Sequence, residues 1–473
     1  MAPINRIPSE ILALTPDFWQ KHYNGRDRDL VALTHVCRAW RDVFISRSSL
    51  WTDLGCADEG KIRIYLERSG SLPVNLSLDA DDQLSSHHPF SKIIPHSIGR
   101  LGSLTIQGTP GNLQDITAHL SRPAPLLKKL WICGGYYNTH VNPVLTPALF
   151  DGGLSSLRTL RLAFVNTGLP WRSMVDLTSF SLLHPSPGEI SVKQFLDFFE
   201  SAPRLRKVRL ESPTPASGAQ GERLVSLAYL EKMEITGDGS APLLLDHLLI
   251  PVGAHVKLEA TLPSPRNRDH PPRFLDNLRN LPDFTAIELQ CGRLDPHLQF
   301  SGPNGRVTMI PRRSRVDKTC LVLESLDQFD TLKVEQLKID RGNGGESPSS
   351  DPLYRALLPM KHLRTLTLYH CAIPRIFVHA LHPTMSSSGT VVCPDLEELV
   401  IVLNSESLDM RSVIGVAAAR ASRGAKLKSV KIIGQDKFVQ VDLLELEKHV
   451  LDVECGPEVD GTDSDGDGIG EEG

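Results

Sequence analysis

The chain has 473 residues, 40% of them hydrophobic and 23% charged, a globular composition too long for one ordinary domain unless it is a repeat array. Its net charge of −5 is concentrated in residues 458–473, where seven acids and no base leave the remainder at −5 + 7 = +2. A near-neutral body offers no basic footprint for nucleic acid, no run of 18 apolar residues is present for a membrane span, and the opening MAPINRIPSE has no apolar run for a secretory signal.

The first ordered unit opens at Ile7-Pro8-Ser9-Glu10-Ile11-Leu12. Proline at a helix start loses nothing, because that N–H has no partner in the first turn. Glu10 suits the positive helix end. Pro16 breaks the pattern, and PDFWQKHYNGRDR follows as a polar, aromatic connection. A second helix is predicted from about Asp29, which is its expected cap. Leu30, Leu33, Cys37, Trp40 and Phe44 recur at steps of three and four and form one apolar stripe, which Val36 and Val43 widen. So small a segment cannot surround Trp19, Trp40, Phe44 and Trp51 by itself. The stripe packs either on the rest of the chain or on a partner.

The order Ile7-Pro8-x-Glu10-Ile11, then Leu33-x-x-Val36-Cys37-Arg38-x-Trp40-Arg41, then Ser49-Leu50-Trp51, resembles an F-box over residues 4–52. The family pattern is Leu-Pro-x-Glu-(Leu/Ile/Val), Val-Cys-(Arg/Lys)-x-Trp and a Leu-Trp close. Ile7 stands where Leu is usual, and the PDFWQKHYNGRDR connection is longer and more aromatic than the family's. The resemblance implies a small all-α unit that docks on the Skp-type adaptor of cullin–RING ubiquitin ligases. It implies adaptor contacts from Ile7, Pro8, Ile11 and Leu12. It also implies that Leu33, Val36, Cys37, Trp40, Leu50 and Trp51 divide between helical core and docking face.

Beyond Trp51, a helix is predicted over Lys61–Arg68 and a strand over Val74–Leu78. From Leu101 onward one motif returns, apolar-x-x-apolar-x-apolar. It starts at residues 101, 127, 157, 177, 205, 230, 284, 334, 363, 396 and 427. In so apolar a chain the pattern arises often by chance, and the spacing is what carries weight. Successive starts fall 20 to 33 residues apart, except for gaps of 54 and 50 that halve to 27 and 25. Weak strands at Val256–Leu258 and Leu321–Leu323 occupy those gaps. The last two apolar positions of each motif share one face of a short strand, and one unit buries that face only against its neighbours. Helical periods at residues 112–122 and 190–202 supply the other, convex side.

This organisation resembles a leucine-rich repeat over residues 98–435. The family places Asn or Cys three residues after the last strand apolar, and only Cys371 and Asn404 conform, so the repeats are expected to be degenerate. The expected fold is α/β: a small all-α N-terminal F-box followed by an irregular leucine-rich-repeat-like α/β solenoid. The divisions are 1–55 F-box-like, 56–97 connecting, 98–457 repeat array and 458–473 acidic tail. An unrelated α/β domain is the alternative.

In such an array the residues between the strand apolars line a concave face, here Trp131, Arg161, Arg209, Glu234, Glu288, Lys338, Thr367 and Lys431. Lys129, Lys207 and Lys232 add positive charge beside them, and Glu398 opposes it. The expected substrate face is Lys129, Trp131, Arg161, Lys207, Arg209 and Glu234, suited to an acidic or phosphorylated protein segment. Any one of these is equally a solvated side chain.

At the C-terminus Asp463, Asp465, Asp467 and Gly468 imitate half a calcium loop. Ile469 comes one place early and no twelfth-position Glu follows, so a disordered acidic tail is expected rather than a calcium site. The eight cysteines form no C-x-x-C pair and no zinc spacing, and read as reduced thiols of a cytoplasmic or nuclear protein. His87-His88 has no partner cluster. No phosphate loop, nucleophile elbow or zinc-protease motif occurs. Expected, then, is a non-enzymatic substrate-recognition subunit with no cofactor and no metal, bound to a Skp-type adaptor, through it to a cullin, and to an unidentified protein substrate. Two alternatives are an F-box scaffold without degradative role and an unrecognised enzyme.

Overall fold

A computed structural model describes residues 27–54, 59–81, 94–95, 97–134, 142–145, 149–167, 174–186, 190–212, 223–237, 244–245, 247–251, 253–261, 285–290, 297–302, 305–312, 331–340, 350–369, 380–382, 391–403, 410–434 and 440–456. The chain forms two compact units, Met1–Pro251 and Val252–Gly473. Both are mixed α/β, and each is built on a largely parallel ladder of short strands.

The first unit begins with α1 (Asp27–Thr34) and α2 (Arg38–Ser46). The single stripe expected from Leu30 to Phe44 is thus carried by two helices, and Asp29 lies inside α1 rather than capping it. The break has a local cause. His35 and Val36 close tight turns onto the Ala32 and Leu33 carbonyls. The Thr34 hydroxyl donates to the Val31 carbonyl at 2.7 Å, and Arg41 Nε takes the Thr34 carbonyl at 3.0 Å. Cys37 is then extended (φ −160°, ψ 174°) and its carbonyl accepts the first hydrogen bond of α2. Such competition between side chain and backbone is what ends short helices.

A 3-10 turn at Ser48–Trp51 leads to β1 (Asp53–Leu54), α3 (Glu59–Arg68) and β2 (Val74–Asp79), close to the predicted helix and strand. Trp51 is wholly buried and ties these pieces together. Its Nε1 donates to the Phe44 carbonyl at 2.9 Å, its ring meets Tyr65 edge-on at 4.9 Å, and the Arg68 guanidinium lies 4.3 Å above it.

Eight strands then make one parallel ladder in which each pairs with the next. To β1 and β2 it adds β3 (Leu101–Gln107), β4 (Lys129–Cys133), β6 (Thr159–Ala163), β8 (Ser179–Leu183), β9 (Lys207–Glu211) and β11 (Lys232–Gly237). The intervening β5 (Val144–Leu145) pairs with β7 (Asn166–Thr167), and β10 (Val225–Ser226) with β12 (Leu248–Leu249), outside that ladder. Helices α4 (Pro110–Ala118) and α5 (Val192–Ser201) occupy the two stretches of predicted helical period. Ser191 and Gln194 close α5 with a reciprocal capping box.

The second unit pairs β13 (His255–Thr261) with β16 (Gly305–Arg312), not with its successor in sequence, β14 (Ala286–Gln290). An antiparallel excursion intervenes: β14 pairs with β15 (His297–Gly302), which pairs with β16. Parallel order then resumes from β14 through β17 (Gln336–Asp340), β18 (Thr365–Tyr369), β19 (Glu398–Val402), β20 (Ser429–Ile433) and β21 (Asp452–Gly456). The even spacing expected across the 54- and 50-residue gaps is corrected here. Val256–Leu258 is a strand, but the next gap holds β15 and β16, and Leu321–Leu323 lies outside the described residues. Helices α6 (Ser350–Leu357), α7 (Met410–Ala421) and α8 (Gln440–Glu447) complete this unit. From α7 the buried Arg420 donates to the Val392 and Cys393 carbonyls, both at 2.7 Å, which secures the turn into β19. Burial pushes the neighbouring Cys393 thiol up to about 12 and lowers Arg420 from its ordinary value.

Every one of the eleven motif copies begins a strand. The core comes from their three apolar positions, as in Leu127, Leu130 and Ile132, or Leu396, Leu399 and Ile401, all within 2% of full burial. Each such side chain gains about 2 kcal/mol on leaving water. The turns after β3, β4 and β20 are equally tight, with no room for a Cβ at Gly108, Gly134 or Gly434. At Gly134 an added Cβ would lie 2.0 Å from the Phe164 carbonyl oxygen. Gly134→Ala is therefore expected to cost about 3 kcal/mol in chemical denaturation. Gly111→Ala, on an open helix surface, is expected to change stability by less than about 1 kcal/mol.

Candidate functional site

Residues two apart on a strand share a face, and the registers of the first ladder align three rows of them. The middle row is Thr105, Trp131, Arg161, Ser181, Arg209 and Glu234, each opposite the next. The row before it holds Ser103, Lys129, Thr159, Ser179, Lys207 and Lys232, in the same registers. All six expected face residues, Lys129, Trp131, Arg161, Lys207, Arg209 and Glu234, thus stand on one side of one sheet.

Their charges are not equivalent. Lys232 and Arg209 both reach Glu234, at 2.8 and 3.8 Å. Arg209 also holds Glu211 through Nε at 3.0 Å, and Glu211 takes His184 Nε2 at 3.2 Å. The His184 hydrogen bond, then the Arg209 guanidinium, pull the Glu211 carboxyl down to about 2. By contrast Lys129, Arg161 and Lys207 meet no carboxylate among the described residues. Arg161 instead lies 4.8 Å over the half-buried Trp131 ring, an arrangement worth about 0.5–1 kcal/mol at a surface. The Trp131 Nε1–H is hidden from solvent and has no acceptor among the described residues.

The third row runs along the strand ends. Cys133, Ala163 and Leu183 form a nearly buried apolar floor, against which Trp131 and Phe164 pack. One residue further on, Phe164, His184 and Ser212 all adopt left-handed backbone, with φ of 53°, 50° and 52°. The ladder explains why. The amides of Gly134, Phe164 and His184 each donate to the last carbonyl of the next strand, and that of Ser212 to the Thr236 carbonyl near the end of β11, so hydrogen bonding continues while the chain turns away. For Phe and His this conformation costs about 1–2 kcal/mol each. It stacks the Phe164 and His184 rings at 4.9 Å and brings His184 Nδ1 to 3.4 Å from Ser212 Oγ. Serine, histidine and carboxylate here follow the order of a hydrolytic triad. The amides of all three left-handed residues are already spent on ladder carbonyls, leaving none of them to hold an oxyanion.

The second ladder also aligns its expected residues, in the row Glu288, Lys338, Thr367, Val400, Lys431 and Glu454. Its cations are engaged. Lys338 reaches Glu288 at 3.1 Å and lies over the Tyr369 ring, and Lys431 stands between Glu398 at 3.3 Å and Glu454 at 3.6 Å.

At the N-terminus, Leu50 and Trp51 are interior, and Trp40 is 8% exposed with its Nε1 lacking an acceptor among the described residues. Leu33 and Cys37 are half-buried and Val36 is 46% exposed. Ile7, Pro8, Ile11, Leu12, His87-His88, Cys371, Asn404 and the acidic tail lie outside the described residues. Among the described residues no helix is long and apolar enough to cross a membrane, and no group of three or more His, Cys, Asp or Glu is placed to hold a metal.

Phe164, His184, Glu211 and Ser212 escaped the sequence reading. A partial signal was there: the residue seven places past the motif start is glycine in four of the eleven copies (Gly108, Gly134, Gly237 and Gly434), and in the first ladder Phe164, His184 and Ser212 take that place. Recurring glycine marks the special turn position, and the aromatic and polar residues replacing it stand out. No protein-family model matches the chain, and no curated protein matches it.

A depressed carboxyl stabilises the fold above its unfolded value, and that contribution is lost as pH falls through the folded one. The stability difference between the parent and Glu211→Gln should therefore be full above about pH 4.5 and fade as pH falls towards about 2, the value given for Glu211. Thermal midpoints by circular dichroism across that range check it.

Proposed function

We propose that the chain is a non-catalytic substrate-recognition subunit of a cullin–RING ubiquitin ligase, working in the cytoplasm or nucleus. Its N-terminal helices act as an F-box that binds the Skp-type adaptor. The rest is an irregular leucine-rich-repeat-like solenoid whose sheet face, taken as concave, binds a protein substrate. The observation that carries this reading is that all eleven motif copies open short strands, each pairing in parallel with a neighbour at constant register. That is what stacked leucine-rich repeats require, and such arrays serve mainly as binding surfaces.

The adaptor half rests on the resemblance at Val36-Cys37-Arg38-x-Trp40 and on the surface beside it. Val36 projects at the junction of α1 and α2, with Leu33 and Cys37 half-exposed alongside. Large apolar side chains left in water at one junction mark an interaction site. Leu50 and Trp51 fall on the core side of the family's division of roles. Holding a substrate and an adaptor on one chain raises the local concentration of substrate near the ubiquitin-loaded enzyme. No residue of this chain is asked to do covalent chemistry.

The test is a pull-down of the purified full chain with a Skp-type adaptor. Val36→Asp and the double change Ile7→Ala/Pro8→Ala are each expected to weaken capture by tenfold or more, about 1.4 kcal/mol, with an unchanged circular-dichroism spectrum. No capture by the parent chain would remove the ligase reading. Capture without ubiquitination of any bound protein in the reconstituted ligase would favour a scaffold.

A further inference from the structure

The two ladders treat their cations differently. On the second face Lys338 and Lys431 are held by Glu288, Glu398 and Glu454. On the first face Lys129, Arg161 and Lys207 have no carboxylate among the described residues, while the acids Glu211 and Glu234 are taken by Arg209 and Lys232. The first face therefore presents net positive charge over β4 to β9, next to the rim of Trp131 and Phe164.

The spacing of these groups selects the ligand. Lys129 and Lys207 lie in one row, three strands apart, through Thr159 and Ser179. At about 4.8 Å per strand, that is about 14 Å. Cations spread over that much of the sheet suit a ligand carrying several separated charges better than one phosphate dianion. An extended segment rises about 3.4 Å per residue and alternates its side chains, so acids at positions i, i+2 and i+4 also span about 14 Å. The residues between them point the other way, towards the apolar third row of Cys133, Ala163 and Leu183 and the two aromatic side chains packed against it, Trp131 and Phe164. We propose that this face binds an extended protein segment of alternating acidic and apolar residues, laid across β4, β6, β8 and β9. The acids meet Lys129, Arg161 and Lys207, and the apolar side chains meet Trp131 and Phe164. This rests on the reading of the sheet face as the partner-binding surface.

The probe is a fluorescein-labelled short peptide of alternating Asp and Leu, titrated with the full chain and read by anisotropy. Comparators are the same residues in two blocks, a Lys–Leu alternation, a singly phosphorylated neutral peptide and a single-stranded oligonucleotide. The alternating acidic peptide should bind most tightly, and more weakly as salt rises. Lys129→Ala/Lys207→Ala should reduce its affinity about tenfold and flatten the salt dependence. Phe164→Gly should reduce it about fivefold with an unchanged circular-dichroism spectrum, because glycine takes the φ of 53° without strain. Lys338→Ala/Lys431→Ala should leave it as in the parent. Equal or tighter binding of the block peptide, the phosphopeptide or the oligonucleotide would overturn the proposal, as would indifference to the Lys129/Lys207 change. Adaptor capture by a chain that ignores the peptide would sink this inference alone. Peptide binding by a chain that ignores the adaptor would sink the ligase reading and leave this one standing.

Discussion

Each short strand carries two apolar side chains two residues apart, and neither leaves water unless the next strand offers the same pair at the same height. Leu130 and Ile132 are covered only because Leu104 and Ile106 stand opposite on one side, and Leu160 and Leu162 on the other. The pairing must therefore hold its register, since a slip of one residue would turn every apolar pair outward. The antiparallel excursion through β14 and β15 respects the same rule: Ile287 meets Phe300, which meets Val307. A strand can leave sequence order, but not apolar register.

Register that is fixed for the core is also fixed for the opposite face. The residues between the apolar pairs inherit the alignment without any selection of their own. Charges opposite one another across 4.8 Å spacings pair where signs alternate. On the second face Glu288 meets Lys338, and Lys431 meets Glu454, so that face neutralises itself. On the first face Asp53 and Asp79 stand at the β1–β2 end and Glu211 and Glu234 on β9 and β11, while β4, β6 and β8 between them carry cations and no acid.

Regular parts of this architecture were legible in the sequence because they come from local pattern. The eleven motif starts, the strand at Val74–Asp79 and the helices at Pro110–Ala118 and Val192–Ser201 all follow from periodicity. Where tertiary hydrogen bonds decide, pattern fails. The stripe from Leu30 to Phe44 looks continuous, yet the Thr34 hydroxyl and the Arg41 guanidinium take local carbonyls and divide it. β15 and β16 depart from the repeating motif, and their only local sign in the sequence is the turn chemistry of Pro303-Asn304-Gly305. The Glu211–His184 contact joins residues 27 apart in sequence (211 − 184) and is visible only once β8 and β9 are in register.

The left-handed residues show how a structural device becomes a candidate binding one. Glycine meets the turn's demand at the end of β20, where Gly434 has φ 94° at no side-chain cost. Phe164, His184 and Ser212 meet the same demand against the preference of their side chains. The ladder hydrogen bond is of ordinary length, 2.9 Å, at both Phe164 and His184, so the backbone there gains nothing that glycine would not supply. What they add lies in their side chains: a stacked pair of rings, a histidine fixed between Ser212 and Glu211, and an aromatic edge beside cations that meet no carboxylate among the described residues. Strain is thus tolerated at three consecutive turns beside cations that meet no carboxylate among the described residues, and this coincidence is what supports the proposed reading of this edge of the first ladder.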